Sequence, residues 1–136
     1  MIEDPRVRAV LDLPLHRSLG LCLVDPADPT AGVRLEVTTA VANPSGVLHG
    51  GIVPLVLDVT CYLALLPQLG DEVGAVTVST TASIIAAASL GDVVHAQARV
   101  DRLGGRQAFL GASLLSQDDR ILATGQVVKA VLRPRG

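Results

Sequence analysis

The segment NPSGVLHGGIVPLVLDVTCYLALL, residues 43 to 66, gathers most of the chain's candidate chemistry. Asp58 is the only Asp, Glu, Lys or Arg between Glu36 and Asp71, and it sits in the middle of an apolar run. An ionised carboxylate in such a run is costly unless it is paired or hydrogen-bonded, and no opposite charge lies nearby in sequence. An acid so placed suits work as a general base or a nucleophile. Ahead of it, Gly50 and Gly51 leave the backbone uncovered, so an N–H there can approach a substrate oxygen closely. If the apolar run is a helix, its dipole adds positive potential at the same place.

Other chemistries fit less well. His16, His49 and His95 show no metal-ligand spacing. Ser45 lies in Pro-Ser-Gly, not in the G-x-S-x-G elbow of a serine hydrolase. Cys22 and Cys61 form no C-x-x-C pair, and two free thiols fit a soluble cytoplasmic protein. The start MIEDPRVRAV lacks the basic and then apolar regions of a signal peptide, in line with the same expectation. A net charge of −2 and no basic block interleaved with aromatics argue against a nucleic-acid partner. The run from Gly51 to Leu66 falls short of the ~20 residues that span a bilayer, and it contains Asp58, so no membrane span is expected.

The elements that must position these residues follow from pattern. A length of 136 residues suits one domain, 1–136, with one core. Tyr62 and Phe109 are the only aromatics, so that core must be built from Val, Leu, Ile and Ala. Asp4-Pro5 followed by Val7, Val10 and Leu11 predicts a short amphipathic helix within residues 1–14, capped by Asp4 and ended by Pro14. LGLCLV, residues 19 to 24, reads as a short strand. GVRLEVTTAV alternates with Val33, Leu35 and Val37 on one face, the pattern of a half-buried strand. The long helix runs from about Gly51 to Leu66, with Pro54 in its first turn and Pro67 and Gly70 as stops. After Glu72 come four long strands, EVGAVTVSTTASII, DVVHAQARVDR, GRQAFLGASLLSQ and RILATGQVVKAVL. The turns SLGD, LGG and QDD separate them, so they are expected to meander as antiparallel neighbours. One antiparallel sheet with a face covered by one helix results, and a second copy is a natural cover for what remains open.

On these residues the chain resembles the hotdog-fold acyl-CoA thioesterases of the phenylacetate-degradation type. The resemblance rests on Asn43, Gly46, His49, Gly50 and Gly51, followed by an apolar helix carrying Asp58. It extends through AVTVSTTASI, LGDVV and GGRQAFLGASLLSQDDRILATGQVV, and covers roughly residues 16 to 132. Ala86, Ala87 and Ala88 stand where many members carry an Arg-Pro-Ala element. The resemblance implies an α+β hotdog fold, a long central helix wrapped by an antiparallel β-sheet. It implies a homodimer with shared active sites, two dimers forming a homotetramer. The implied activity is hydrolysis of an acyl-CoA to free acid and coenzyme A, with coenzyme A part of the substrate and no separate cofactor or metal. The Gly50 N–H would take the thioester oxygen, with Gly51 beside it in the substrate site. Asn43 and His49 would position the thioester or orient the loop, and the Thr77 hydroxyl would help hold the attacking water. Arg102 and Arg106 flank a turn and are candidates for the coenzyme A phosphates.

Asp58 lies eight residues beyond Gly50, about 12 Å along one helix at ~1.5 Å per residue. One chain would struggle to bring both to the same carbon, whereas two chains can, with the acid of one facing the His-Gly element of the other. Two rivals share the fold. A non-catalytic acyl-CoA-binding hotdog domain would tolerate loss of Asp58. A hotdog hydratase acting on an enoyl or hydroxyacyl thioester usually arranges its His and acid differently from the order here, His49 then Asp58.

Overall fold

Two prolines shape the start of the chain, whose residues 4–135 are described by a computed structural model. Asp4 caps helix α1 (Pro5–Leu11), its carboxylate accepting the Arg6 N–H at 2.9 Å. Helix α1 ends before Pro14, as expected, and Pro14 also begins a second helix that was not foreseen, α2 (Pro14–Leu19). The first helical position needs no N–H donor, so proline fits there as well as it fits after a helix. Gly20 closes α2 in the left-handed region, φ 79°. Leu19 therefore belongs to a helix, and the strand expected over residues 19 to 24 contracts to β1 (Cys22–Leu23).

The alternating stretch forms β2 (Val33–Glu36), with Val33 and Leu35 buried and Arg34 and Glu36 exposed. The long apolar run forms α3 (Ile52–Leu65), closed by a 3-10 turn over Leu66–Gln68 that contains Pro67. Pro54 is the third helical residue, where its missing N–H costs no intrahelical bond. The remaining strands are β3 (Gly74–Ile84), β4 (Val93–Leu103), β5 (Gln107–Leu115) and β6 (Ile121–Leu132). All pair antiparallel in one sheet of order β1-β2-β4-β5-β6-β3.

That order corrects the expected four-strand meander. Strands β4, β5 and β6 do follow one another, but β3 pairs with β6 at the far edge, and β2 takes the place beside β4. The helix is the reason. It crosses the sheet face between β2 and β3 and delivers the chain to the opposite edge. The buried face of α3, including Val56, Leu57, Cys61 and Leu63, packs on this sheet. At Gly125 the approach is very close, because a Cβ there would lie 2.7 Å from Leu57 Cδ1 and 2.6 Å from the Thr81 carbonyl oxygen. A long apolar helix held in a six-stranded antiparallel sheet is the hotdog architecture.

Strand β3 has a partner on one side only. Val76 and Val78 near its start are 49% and 57% exposed. An edge of eleven residues with a free row of N–H and C=O groups is a template for another strand. Among the described residues, no helix is long and apolar enough to cross a membrane.

Candidate active site

Asp58 projects from the middle of α3 onto the β3–β6 pair. Thr77 and Lys129 stand directly opposite each other in that pair. The Thr77 hydroxyl donates to Asp58 Oδ1 at 2.7 Å. Lys129 Nζ donates to the same oxygen at 2.9 Å and to Thr77 Oγ1 at 3.0 Å. The ammonium also lies over the ring of Tyr62, 5.5 Å from its centroid, within the range of a cation–π contact. Tyr62 is one helical turn beyond Asp58, on the same face. The Lys129 side chain is only 3% exposed, while that of Asp58 is 32% exposed.

The fold supplies what the neighbouring sequence does not. Asp58 does have a partner of opposite charge, brought from β6, 71 positions away. The carboxylate is also not fully enclosed. Its Oδ2 accepts no hydrogen bond from the described residues, yet no buried side-chain oxygen is left without a partner. Oδ2 therefore opens to solvent. Thr77 donates its one proton to Asp58, so toward a water it can only accept.

The second set of residues lies in the loop before α3. Asn43 Oδ1 accepts the N–H groups of Ser45, at 3.0 Å, and Val47, at 3.2 Å, which fixes the turn. The loop is then tied on two sides, by Leu48 N–H to the Ala88 carbonyl and His49 N–H to the Val41 carbonyl, both at 2.8 Å. His49 Nδ1 accepts the Gly51 N–H at 2.9 Å. An accepting Nδ1 carries no proton, which leaves Nε2 as the ring's donor nitrogen. The two glycines thus differ. The N–H of Gly51 is taken by His49, whereas that of Gly50 meets no acceptor among the described residues. Gly50 also borders a cavity of about 330 Å³ lined by Leu48, Val53, Ile84, Ile85, Ala87 and Leu122, with Asn43 the one polar side chain of its wall. The cavity reaches Gly50 and not Asp58.

The sequence-predicted residues therefore form two groups within one chain, Asp58 with Thr77, and Asn43 with His49, Gly50 and Gly51. Arg102 and Arg106 are exposed at one end of the sheet, and their guanidinium groups join neither group. Arg133 reaches the same end, donating through Nε to the Gly105 carbonyl at 3.2 Å. Lys129 was missed because RILATGQVVKAVL reads as one apolar strand. Alternation in the sequence would bury Val128, Ala130 and Leu132 instead, and only the structure shows that Val127, Lys129 and Val131 face inward together.

Cys61 sits next to this cluster on α3 and is fully buried. Burial pushes its thiol up to about 12, and only a thiolate reacts readily. Cys22 is exposed. The native protein should therefore react with a thiol reagent at Cys22 alone, and at both cysteines once denatured. Peptide mapping after alkylation reads this directly, and modification of native Cys61 would contradict the packing.

Residues 45–129 match the model of the thioesterase superfamily. A Pseudomonas aeruginosa protein named as a candidate esterase is 31% identical over 96 residues, 71% of this chain and 71% of its own length. The solved structure of a conserved Pseudomonas aeruginosa protein is 32% identical, with a TM-score of 0.82 over 92% of this chain and 98% of that one. The E. coli PaaI protein, from the phenylacetic acid degradation operon, has a TM-score of 0.80 over 98% of this chain and 93% of its own. At 19% identity that last likeness is one of fold.

Proposed function

We propose that this chain, which belongs to the thioesterase superfamily, hydrolyses the thioester of an acyl-CoA to a free acid and coenzyme A. The observation that carries this reading is the Gly50 N–H, left without an acceptor at the wall of an apolar cavity. A thioester carbonyl oxygen bonded to that N–H would leave its acyl group in a cavity that bonds no charge. The donor is worth having because charge develops on that oxygen during attack.

In the proposed homodimer, the β3 edges pair and Asp58 of one subunit faces Gly50 of the other. Two such dimers form a homotetramer. Asp58 Oδ2 takes a proton from a water whose oxygen bonds to the thioester carbon. The tetrahedral intermediate collapses as the C–S bond breaks, and the proton held on Asp58 passes to the departing sulfur, which gives the free thiol and restores the carboxylate. Direct attack by Asp58 would instead form an anhydride. Single turnover in isotopically labelled water identifies the anhydride route when solvent oxygen appears in Asp58, which happens when water opens the anhydride at the Asp58 carbonyl. Asn43 and His49 hold the loop that presents Gly50, and Gly51 serves through its bond to His49. Arg102 and Arg106, with Arg133, are the candidates for coenzyme A phosphates. The exposed free Cys22 favours a reducing compartment, the cytoplasm.

The test is thiol release from a panel of acyl-CoAs: short, medium, long, aryl and hydroxylated. Turnover of uncharged medium or aryl acyl groups is expected, and a preference for phenylacetyl-type thioesters would assign the phenylacetate branch. Binding of the panel without thiol release would replace this reading with a non-catalytic acyl-CoA-binding domain. Hydration of an enoyl thioester without thiol release would replace it with a hydratase.

A further inference from the structure

Lys129 is an unusual residue to find where it stands. Strand β6 turns Val127, Lys129 and Val131 toward the helix, and all three are buried. An ammonium in a core position costs several kcal/mol of lost hydration unless its protons and charge are matched. Two of its protons go to Asp58 Oδ1 and Thr77 Oγ1, and its charge is met by the Asp58 carboxylate and by the Tyr62 ring, whose centroid lies 5.5 Å away. Both hydrogen bonds to Asp58 converge on Oδ1, which leaves Oδ2 as the one carboxylate oxygen open to a water or a substrate.

We infer that Lys129 is a positioning residue, which clamps Asp58 Oδ1 directly and through Thr77, and thereby reserves Oδ2 as the oxygen that reacts. The inference rests on the thioesterase reading above. Two donors on one oxygen set the plane and rotation of the carboxylate, and α3 sets its root. The remaining oxygen then has one direction, out of the pair and toward the side on which a partner subunit would sit. The Tyr62 ring, one turn along the helix, adds a cation–π contact to the same ammonium. Thr77 has a role in the same device. With its proton given to Asp58 and one lone pair given to Lys129, its other lone pair can accept from the water that Oδ2 activates.

Misplacement of a catalytic group by about 1 Å can cost ~10²-fold in rate, so the expected signature is a fall in kcat with little change in KM. The experiment compares Lys129→Met, Lys129→Gln and Lys129→Arg with the native protein and Asp58→Asn, using the acyl-CoA that the native protein turns over best. Folding of each is checked by circular dichroism and thermal melting. Lys129→Met should lose about 10²-fold in kcat with KM within threefold, a change that loss of stability alone does not produce in the folded fraction. Lys129→Arg, which keeps a charged donor, should recover most of the loss, and Lys129→Gln should fall between them. If Lys129→Met does not fold, the order of Arg and Gln decides. Folded Lys129 variants with native kcat, beside an inactive Asp58→Asn, would overturn the positioning role and leave the thioesterase reading standing. A native protein that releases no thiol from any acyl-CoA overturns both.

Discussion

Asp58→Asn should lower kcat for acyl-CoA hydrolysis by at least about a hundredfold, in keeping with general-base contributions of ~10²–10⁴. The substitution keeps shape and removes chemistry. An amide oxygen can still accept from Thr77 and Lys129 where Oδ1 now does, at 2.7 and 2.9 Å. The group at the Oδ2 position becomes an NH₂, which takes no proton from water. Lys129 loses its counter-charge, but the site is open to water at Asp58, which softens the consequence for stability. KM should stay near its native value, since Asp58 borders none of the apolar cavity that would hold the acyl group. The check is steady-state kinetics by thiol release, with circular dichroism to show that α3 survives. Native-like turnover in a folded Asp58→Asn protein would remove Asp58 from the chemistry.

Gly50→Pro should cost about 10²–10³ in kcat, the usual loss for one oxyanion donor. The backbone N–H of Gly50 bonds to nothing among the described residues, so the ground-state fold loses no hydrogen bond when it goes. Gly50→Ala is the matched control. It keeps the N–H, and its Cβ would lie 3.4 Å from Ile84 Cδ1, the far end of a flexible side chain that can give by the little required. Kinetics of the pair separate donor from space. A large loss in proline with near-native alanine, with KM and the melting temperature of the proline variant near native so that the loop around His49 is intact, points to the N–H, whereas equal losses in both would mean that the cavity wall, not the donor, is what position 50 supplies.

The parts of the fold that were legible in the sequence are those decided by local pattern. The apolar run between Gly51 and Leu66 had one reading as a buried helix, and α3 occupies nearly all of it. The alternation of Val33, Leu35 and Val37 named its buried face correctly, and Asp4 caps the first helix as its type and place suggest. Pro14 marked the end of α1 but not the start of α2, because proline fits the stretch after one helix and the first residue of another equally well. Strand order was not legible, since turn signals report where the chain reverses and not which edge a strand reaches after a crossing helix. For the same reason the partner of Asp58 was hidden. Local sequence offers it no cation, and Lys129 meets it only because β3 and β6 pair in a register that sets Thr77 opposite Lys129. The distinction between Gly50 and Gly51 needed atoms as well, because it turns on which N–H the His49 ring takes.

The proposed hydrolytic site is assembled from two chains, with Asp58 from one and Gly50 from the other. It is tested most directly by refolding Asp58→Asn and Gly50→Pro subunits together and measuring thiol release. Each variant alone is expected to be nearly inactive. In a two-fold dimer, a mixed pair carries one intact site and one doubly damaged site, so random pairing should restore about a quarter of native activity. A mixture as inactive as its parents would place both residues in one chain's site and contradict the account.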